Sequence, residues 1–519
     1  MQIASLADMW DRCSRLFEND VAAVASGERR TFGELLERAR RLGSFLYSAG
    51  ARRQDRIAML SMNGAEWFDY YAACELHGFV GQTVNFRLSP VEMEYVLGDG
   101  QPTALIFHSD YAELVEGLRA GTRSVTQYIC IGRSLDWAVS FEDAIALGRP
   151  EGAPIRAEPD DLVHMIYTSG TTGKPKGVVR TQRAAASLAA ACATSLSMRV
   201  GGRMLLTMPM FHIGAQSMAS GQHMLGGLVV LHRRFDPIEV ARAIAAERVQ
   251  ITHMAPTLVQ QFLSQEGVMD FDLGSLETLC YAAAPMPVPV LRRGIEQLGP
   301  IFLNCYGSTE CGNVAVMERH LHKPDGTPTE VGRLGSVGRE HLFSRLGVFD
   351  EENRECPRGI VGELCVHSDS MMARYWNRPE ETSEALRDGW YRTGDMARMD
   401  ERGFVFLVDR KKDLIISGGE NIAPREVEEA ILTHAGIAEA AVIGIPDERW
   451  GETVKAILVA RGDPPSAEVV IAHCRGRIAG YKLPRVIEYI DAMPLLATGK
   501  VDKVRLRQRH RDQERGISS

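Results

Sequence analysis

No segment of this chain approaches 18 consecutive strongly apolar residues, and the Ala-rich run 184–193 gives way at once to Thr194 and Ser195, so no membrane span is expected. Cys-x-x-Cys pairs are also missing, and the ten cysteines have no neighbouring histidine cluster. Reduced thiols are therefore expected rather than disulfides or zinc. Basic residues are not in excess: 59 Lys and Arg face 67 Asp and Glu, a formal charge of −8. A surface of that balance has no global attraction for nucleic acid or anionic lipid. Residues 1–12 carry Asp8 and Asp11 and lack a basic stretch followed by an apolar one, so no secretory signal is expected. Internal repeats and low-complexity linkers are absent from the first 400 residues. These absences point to a soluble cytoplasmic protein with no nucleic-acid partner.

What is present is a large core. The 519 residues are 45% hydrophobic and 24% charged, enough for about three folding units. From residue 162 short apolar runs alternate with amphipathic stretches. Strands are expected at 162–167, 204–208, 228–232, 251–254, 279–283 and 301–304, with a helix beginning near Thr181. Asp236, Pro237 and Glu239 make a helix start, with an acidic cap, proline at the first position and an acid in the first turn. Strands alternating with helices predict an α/β fold of largely parallel, helix-covered sheets. The last 110 residues read as a smaller α+β unit, with strands at 404–408, 414–417, 440–445 and 454–460. The expected division is a large domain at 1–409, a hinge at 410–412 and a small mobile domain at 413–519.

The richest chemical signal is Tyr167-Thr168-Ser169-Gly170-Thr171-Thr172-Gly173-Lys174-Pro175-Lys176-Gly177-Val178, read as a loop between a strand and a helix. Its glycines let backbone N–H groups approach an anion, its hydroxyls add donors and its lysines add charge. That combination suits a polyphosphate. No Gly-Lys-Ser/Thr follows at Walker A spacing, so this is a different kind of phosphate loop.

The same word resembles the phosphate-loop signature of the adenylate-forming superfamily, which includes acyl- and aryl-CoA synthetases, nonribosomal peptide adenylation domains and luciferases. Four further segments carry the resemblance in the family's order. Tyr306-Gly307-Ser308-Thr309-Glu310 is similar to its YGxTE box, and Thr393-Gly394-Asp395 to its ribose-binding segment. Asp409-Arg410-Lys411-Lys412-Asp413, with Gly418 and Gly419 beyond, resembles the hinge and the loop after it. Thr498-Gly499-Lys500 resembles the segment that bears the C-terminal catalytic lysine. The chain is most like the acyl-CoA synthetases.

The resemblance implies ATP, Mg²⁺ and coenzyme A as co-substrates or cofactors of a carboxylic acid–thiol ligase. Two anions must meet when a carboxylate attacks the α-phosphorus of ATP, so the site needs cations and donors on the developing charge. By resemblance, Thr168, Ser169, Gly170, Thr171, Thr172 and Lys176 hold phosphates, and Glu310 holds Mg²⁺. Thr309 donates to the α-phosphate, Tyr306 and Gly307 flank adenine, and Asn304 meets its exocyclic amine. Asp395 accepts the ribose hydroxyls, Arg410 adds a ribose or phosphate contact, and Ala284 lies at the nucleotide. Lys500 neutralises the meeting anions, Lys412 is the pivot, and Gly418 and Gly419 leave a narrow passage for pantetheine.

The acid is less legible. His212 matches the family's aromatic gate between acyl pocket and thiol channel, while Ala282 replaces a glycine common among relatives and, with Met218 and Met286, shapes the pocket. No acidic residue lies between Met208 and His232, so an α-ammonium would go unpaired. Gln216 supports two readings: a donor to a polar, carnitine-type or hydroxylated substrate, or a glutamine bonded to backbone. Fatty, polar-substituted and aromatic acids all stay open. So does a carrier protein in place of coenzyme A, and a homodimer is compatible with the sequence. A nucleotide-binding scaffold without catalysis would have no need of Lys500.

Overall fold

The computed structural model describes residues 3–168, 175–282, 286–410, 413–417, 420–447, 450–475, 477–495 and 501–514. The chain forms two compact units, one of Met1–Leu346 with Val366–Arg392 and one of Gly347–Cys365 with Thr393–Ser519. Among the described residues no helix is long and apolar enough to cross a membrane. All ten cysteines are free.

The first unit is built on two sheets. One has nine strands, in the order Arg339–Glu340, Gly312–Met317, Phe302–Ser308, Thr278–Ala282, Ile251–Met254, Arg203–Leu206, Leu228–Leu231, Val21–Ala25 and Glu28–Thr31. Its six inner strands run parallel, and antiparallel pairs occur only toward the two edges. Runs such as Leu228–Leu231 are buried throughout, as expected of parallel strands covered on both faces. Alternate residues feed two separate cores. Leu206, Ile251 and Cys280 pack with the helices Gln182–Ser195 and Ile213–Met224, whereas Leu205, Met254 and Leu279 pack with Pro237–Glu247 and Pro256–Ser264. The expected helix start is present: Asp236 Oδ1 accepts from the backbone N–H groups of Ile238 and Glu239 at 2.9 and 3.0 Å.

The second sheet has eight strands, centred on the parallel strands Val80–Thr83, Arg56–Leu60, Ala104–His108 and Gln127–Ile131. One expectation is corrected here. The Gly/Thr/Lys loop does not run from strand into helix. Leu162–Thr168 pairs antiparallel with a second strand, Lys176–Thr181, with Thr168 opposite Lys176, and the helix follows at Gln182 with Thr181 as its N-cap, as expected. The six residues of the second strand, Lys-Gly-Val-Val-Arg-Thr, show no alternation, and periodicity over so short a run does not separate strand from loop.

In the second unit, Asp395 to Met399 pairs antiparallel with Val405–Arg410. A further sheet joins Glu420–Ile422, Ile415–Ser417, Gly451–Ala460, Ile437–Asp447 and Val486–Tyr489. The helices Pro424–Leu432 and Ala467–Arg475 cover it through Val427, Ile431 and Val470. The unit begins well before residue 410, and Lys411 and Lys412 of the expected hinge lie outside the described residues.

Three histidines of the first unit, His223, His253 and His322, are buried, and burial pushes each down to about 4. Their unfolded values lie near 6.5, so between about pH 6.5 and 4 the unfolded chain binds more protons than the folded one. Stability should therefore fall with falling pH through that window, by up to about 1.4 kcal/mol per pH unit for each histidine. In urea unfolding at a series of pH values, His253→Leu should remove one proton's share of that slope. An unchanged slope would contradict the assignment.

Candidate active site

The YGxTE residues end the strand Phe302–Ser308 and form the tight turn into Gly312–Met317. Gly307 is required by close approach: a Cβ there would lie 1.8 Å from the carbonyl oxygen of Gly312. Glu310 therefore sits in a hairpin turn and not at a helix N-terminus. The turn is held from several directions. Ser308 Oγ accepts from the N–H groups of Glu310 and Cys311 at 3.2 and 3.4 Å. The Glu310 carbonyl accepts from Met372 N–H at 2.6 Å. Tyr375 donates its hydroxyl to Glu310 Oε1 at 3.1 Å. Arg180 donates from Nη2 to the carbonyls of Thr309 and Glu310 at 2.9 and 3.4 Å.

Lys176 enters the same cluster, its Nζ 5.1 Å from the centroid of the Tyr375 ring. Burial raises the Tyr375 hydroxyl well above the ordinary phenol value, so it stays protonated as a donor to Glu310. Arg180, wholly buried, is pushed down to about 10 by that burial and remains a cation at neutral pH. Tyr306 is half-buried, and Asn304, two residues before it on the same strand, is buried. A Glu310 carboxylate among two cations and a phenol is a hard-oxygen donor. Among the described residues no group of three His, Cys, Asp or Glu gathers to cage a metal. That donor set fits Mg²⁺, which takes one or two protein carboxylates and fills its other positions with water and phosphate oxygens.

Of the residues expected at the acyl pocket, His212 stands at the N-cap position of Ile213–Met224 without a side-chain capping bond, its ring 4.2 Å from that of Phe211. Ala282 ends its strand half-buried against the core that contains Met218. Met286 packs in the other core, with Leu279 and Tyr281, so it does not share that face. Gln216 departs from both of its readings. Its amide nitrogen lies 3.2 Å from Glu75 Oε1 and 3.0 Å from Ser220 Oγ, both side-chain acceptors. Glu75 is fully buried and also accepts from the indole N–H of Trp10 at 2.6 Å, with His164 Nε2 3.0 Å from its other oxygen. A buried carboxylate needs such donors, and Gln216 is one of them. Its amide nitrogen is committed to the protein interior.

In the second unit, Asp395 and Arg410 are opposite each other across the Trp390–Met399 and Val405–Arg410 pair. Asp395 is buried, and Thr393 Oγ1 accepts from its backbone N–H at 3.0 Å. Ser169, Gly170, Thr171, Thr172, Ala284, Lys412, Gly418, Gly419 and Lys500 lie outside the described residues. Sequence reasoning passed over Arg180, Ser308 and Tyr375 in assigning roles. The signal for Arg180 was a charge directly after two valines in a strand, which marks a buried and partnered group only once the strand is known to be internal.

Gln216→Leu should act on stability rather than on choice of acid. Removing one donor from the buried Glu75 carboxylate costs about 1–3 kcal/mol. The expected result is a lower urea midpoint with kcat/KM reduced by a common factor for polar and apolar acids. A selective loss with polar acids alone would restore the pocket reading.

The chain matches the model of the AMP-binding enzyme family over residues 10–376 and that of the AMP-binding enzyme C-terminal domain over 426–500. It is 36% identical over 504 residues to a feruloyl-CoA synthase of Amycolatopsis sp, covering 96% of this chain and 97% of that protein. With a medium/long-chain-fatty-acid–CoA ligase of Mycobacterium tuberculosis it shares 33% identity over 509 residues, 95% of this chain and 88% of the relative. The solved structure of the amide bond synthetase McbA from Marinactinospora thermotolerans superposes with a TM-score of 0.87 at 26% identity, covering 97% of this chain and 99% of that one. The two matched models together span most of the sequence, the turn of Thr309 and Glu310 included, and the chain belongs to the AMP-binding enzyme family.

Proposed function

We propose that this protein is an AMP-forming carboxylic acid–CoA ligase acting on an apolar fatty or aromatic acid. The carboxylate oxygen attacks the α-phosphorus of ATP and pyrophosphate leaves. The sulfur of coenzyme A then attacks the acyl carbonyl carbon and AMP leaves, carrying the former carboxylate oxygen. The observation that carries the reading is the Thr309–Glu310 turn, fixed by Ser308, Arg180 and Tyr375 beside Lys176. A site that brings two anions together needs preorganised donors and cations of this kind.

In this reading Thr168 to Thr172 and Lys176 bind the phosphates, Thr309 donates to the α-phosphate, and Asp395 and Arg410 hold the ribose. Glu310 holds Mg²⁺, which supplies charge neutralisation at the phosphates when bound. Lys500 neutralises the reacting oxygens, and turning about Lys412 exchanges it for the Gly418-Gly419 passage. The preference for an apolar acid rests on two features. Gln216 is committed to Glu75, and the core against which Ala282 packs is lined by Met218, Ala215 and Phe211. The medium/long-chain fatty acid named for one relative agrees with that preference. One copy carries every motif, so the reading needs no second subunit. Ten free thiols fit a reducing, cytoplasmic setting.

A panel of aryl, cinnamate-type and straight-chain acids, with ATP, Mg²⁺ and coenzyme A, should give AMP and a CoA thioester with at least one apolar class. Acid-dependent AMP without thioester would favour a carrier protein as acceptor, and no acid-dependent AMP would reject the reading. In the same assay, Lys500→Ala should slow adenylation by about 10²–10³-fold, the usual cost of one lost transition-state contact. Thioester formation from supplied acyl-AMP should persist, and equal loss in both steps would remove Lys500 from its role.

A further inference from the structure

Arg180 is among the largest fully buried side chains of the described residues, at 1% exposure. Among those residues no carboxylate pairs with it. Its hydrogen-bond partners among the described residues are all main-chain carbonyls: Nε donates to Ser370 at 2.8 Å, and Nη2 to Thr309 at 2.9 Å and to Glu310 at 3.4 Å. A buried guanidinium without an anionic partner is a costly arrangement, and the carbonyls it reaches belong to one short turn and one neighbouring loop. Arg180 lies on Lys176–Thr181, the strand that leaves the phosphate loop, whereas Thr309 and Glu310 lie in the turn after a strand of the other sheet. The guanidinium thus ties the strand after the loop to the turn that carries the acid-activating residues.

The turn is gripped on two sides. Its N–H groups point to Ser308 Oγ and its carbonyls to Arg180, which fixes the peptide planes at Thr309 and Glu310 and with them the directions of the two side chains. The Arg180 guanidinium and the Glu310 carboxylate also attract each other through space.

We propose that Arg180 is a positioning residue for acid adenylation: it sets the Thr309–Glu310 turn relative to the phosphate loop and has no part in thiol transfer. The proposal rests on the ligase reading. Its test uses the full-length enzyme with an acid that the wild type activates, so failure of the ligase reading would show first as absent acid-dependent exchange in the wild type. Arg180→Met and Arg180→Lys are compared in acid-dependent ATP–pyrophosphate exchange, in thioester formation from supplied acyl-AMP, and in melting temperature. Misplacing a catalytic group by about 1 Å costs on the order of 10²-fold. Arg180→Met should therefore lose about 10²-fold in exchange while thioester formation stays within about threefold. Arg180→Lys, which keeps the charge but not the planar fork, should recover part of the loss. Ser308→Ala loosens the turn from its other side without opening the core, and should show the same bias if Arg180→Met fails to fold. Equal losses in both half-reactions that track the melting temperature, or no loss in exchange, would overturn the proposal.

Discussion

One buried guanidinium ties together two elements of the first unit that belong to different sheets. The strand Lys176–Thr181 leaves the phosphate loop on the eight-stranded sheet, and Thr309 and Glu310 stand where a strand of the nine-stranded sheet turns back. Arg180 spans from the first to the carbonyls of the second. Each sheet is made rigid by parallel strands buried on both faces, so what has to be specified is their mutual register at this point. A guanidinium does this well, because its donors lie in a fixed plane and dictate where the carbonyls must be.

The surrounding chemistry follows from the need to unite two anions. Positive charge and donors collect near the turn, with Lys176 against Tyr375 and Tyr375 against Glu310. The surroundings of the helix Ile213–Met224 have the opposite character. The helix packs its Ala215, Met218 and Ala219 into an apolar core, and its polar Gln216 faces Glu75. The Glu75 carboxylate gathers Trp10, His164 and Gln216 from a helix, a strand and another helix. A buried charge satisfied by three elements holds the helix that begins at His212 in place.

Much of this was legible in the sequence. The apolar run at 228–231 is a buried strand because it is short and continuous, the shorter strand at 251–254 stands between helix signals, and Asp236-Pro237 starts a helix as its chemistry dictates. The strand expected at 301–304 is present as Phe302–Ser308, which carries Asn304 and Tyr306 toward the turn at Glu310. The misreadings have physical causes. Lys176–Thr181 was read as loop because a strand buried through Val178 and Val179 carries no alternation. Gln216 was weighed against a substrate because a lone amide in a helix gives no sign of a carboxylate 141 residues away in the chain. Arg180 was passed over for the same reason: its partners are main-chain carbonyls, which no sequence pattern displays. Strand pairing between Asp395 to Met399 and Val405 to Arg410 groups residues before 413 with the second unit.

The central claim is that the acid is activated as an acyl-adenylate before it meets coenzyme A. Turnover of an acid bearing ¹⁸O in both carboxylate positions tests this directly, by mass spectrometry of the AMP and pyrophosphate released. Attack of the carboxylate on the α-phosphorus predicts one ¹⁸O atom in AMP and none in pyrophosphate. Label in the pyrophosphate, or AMP released without label, would contradict the account.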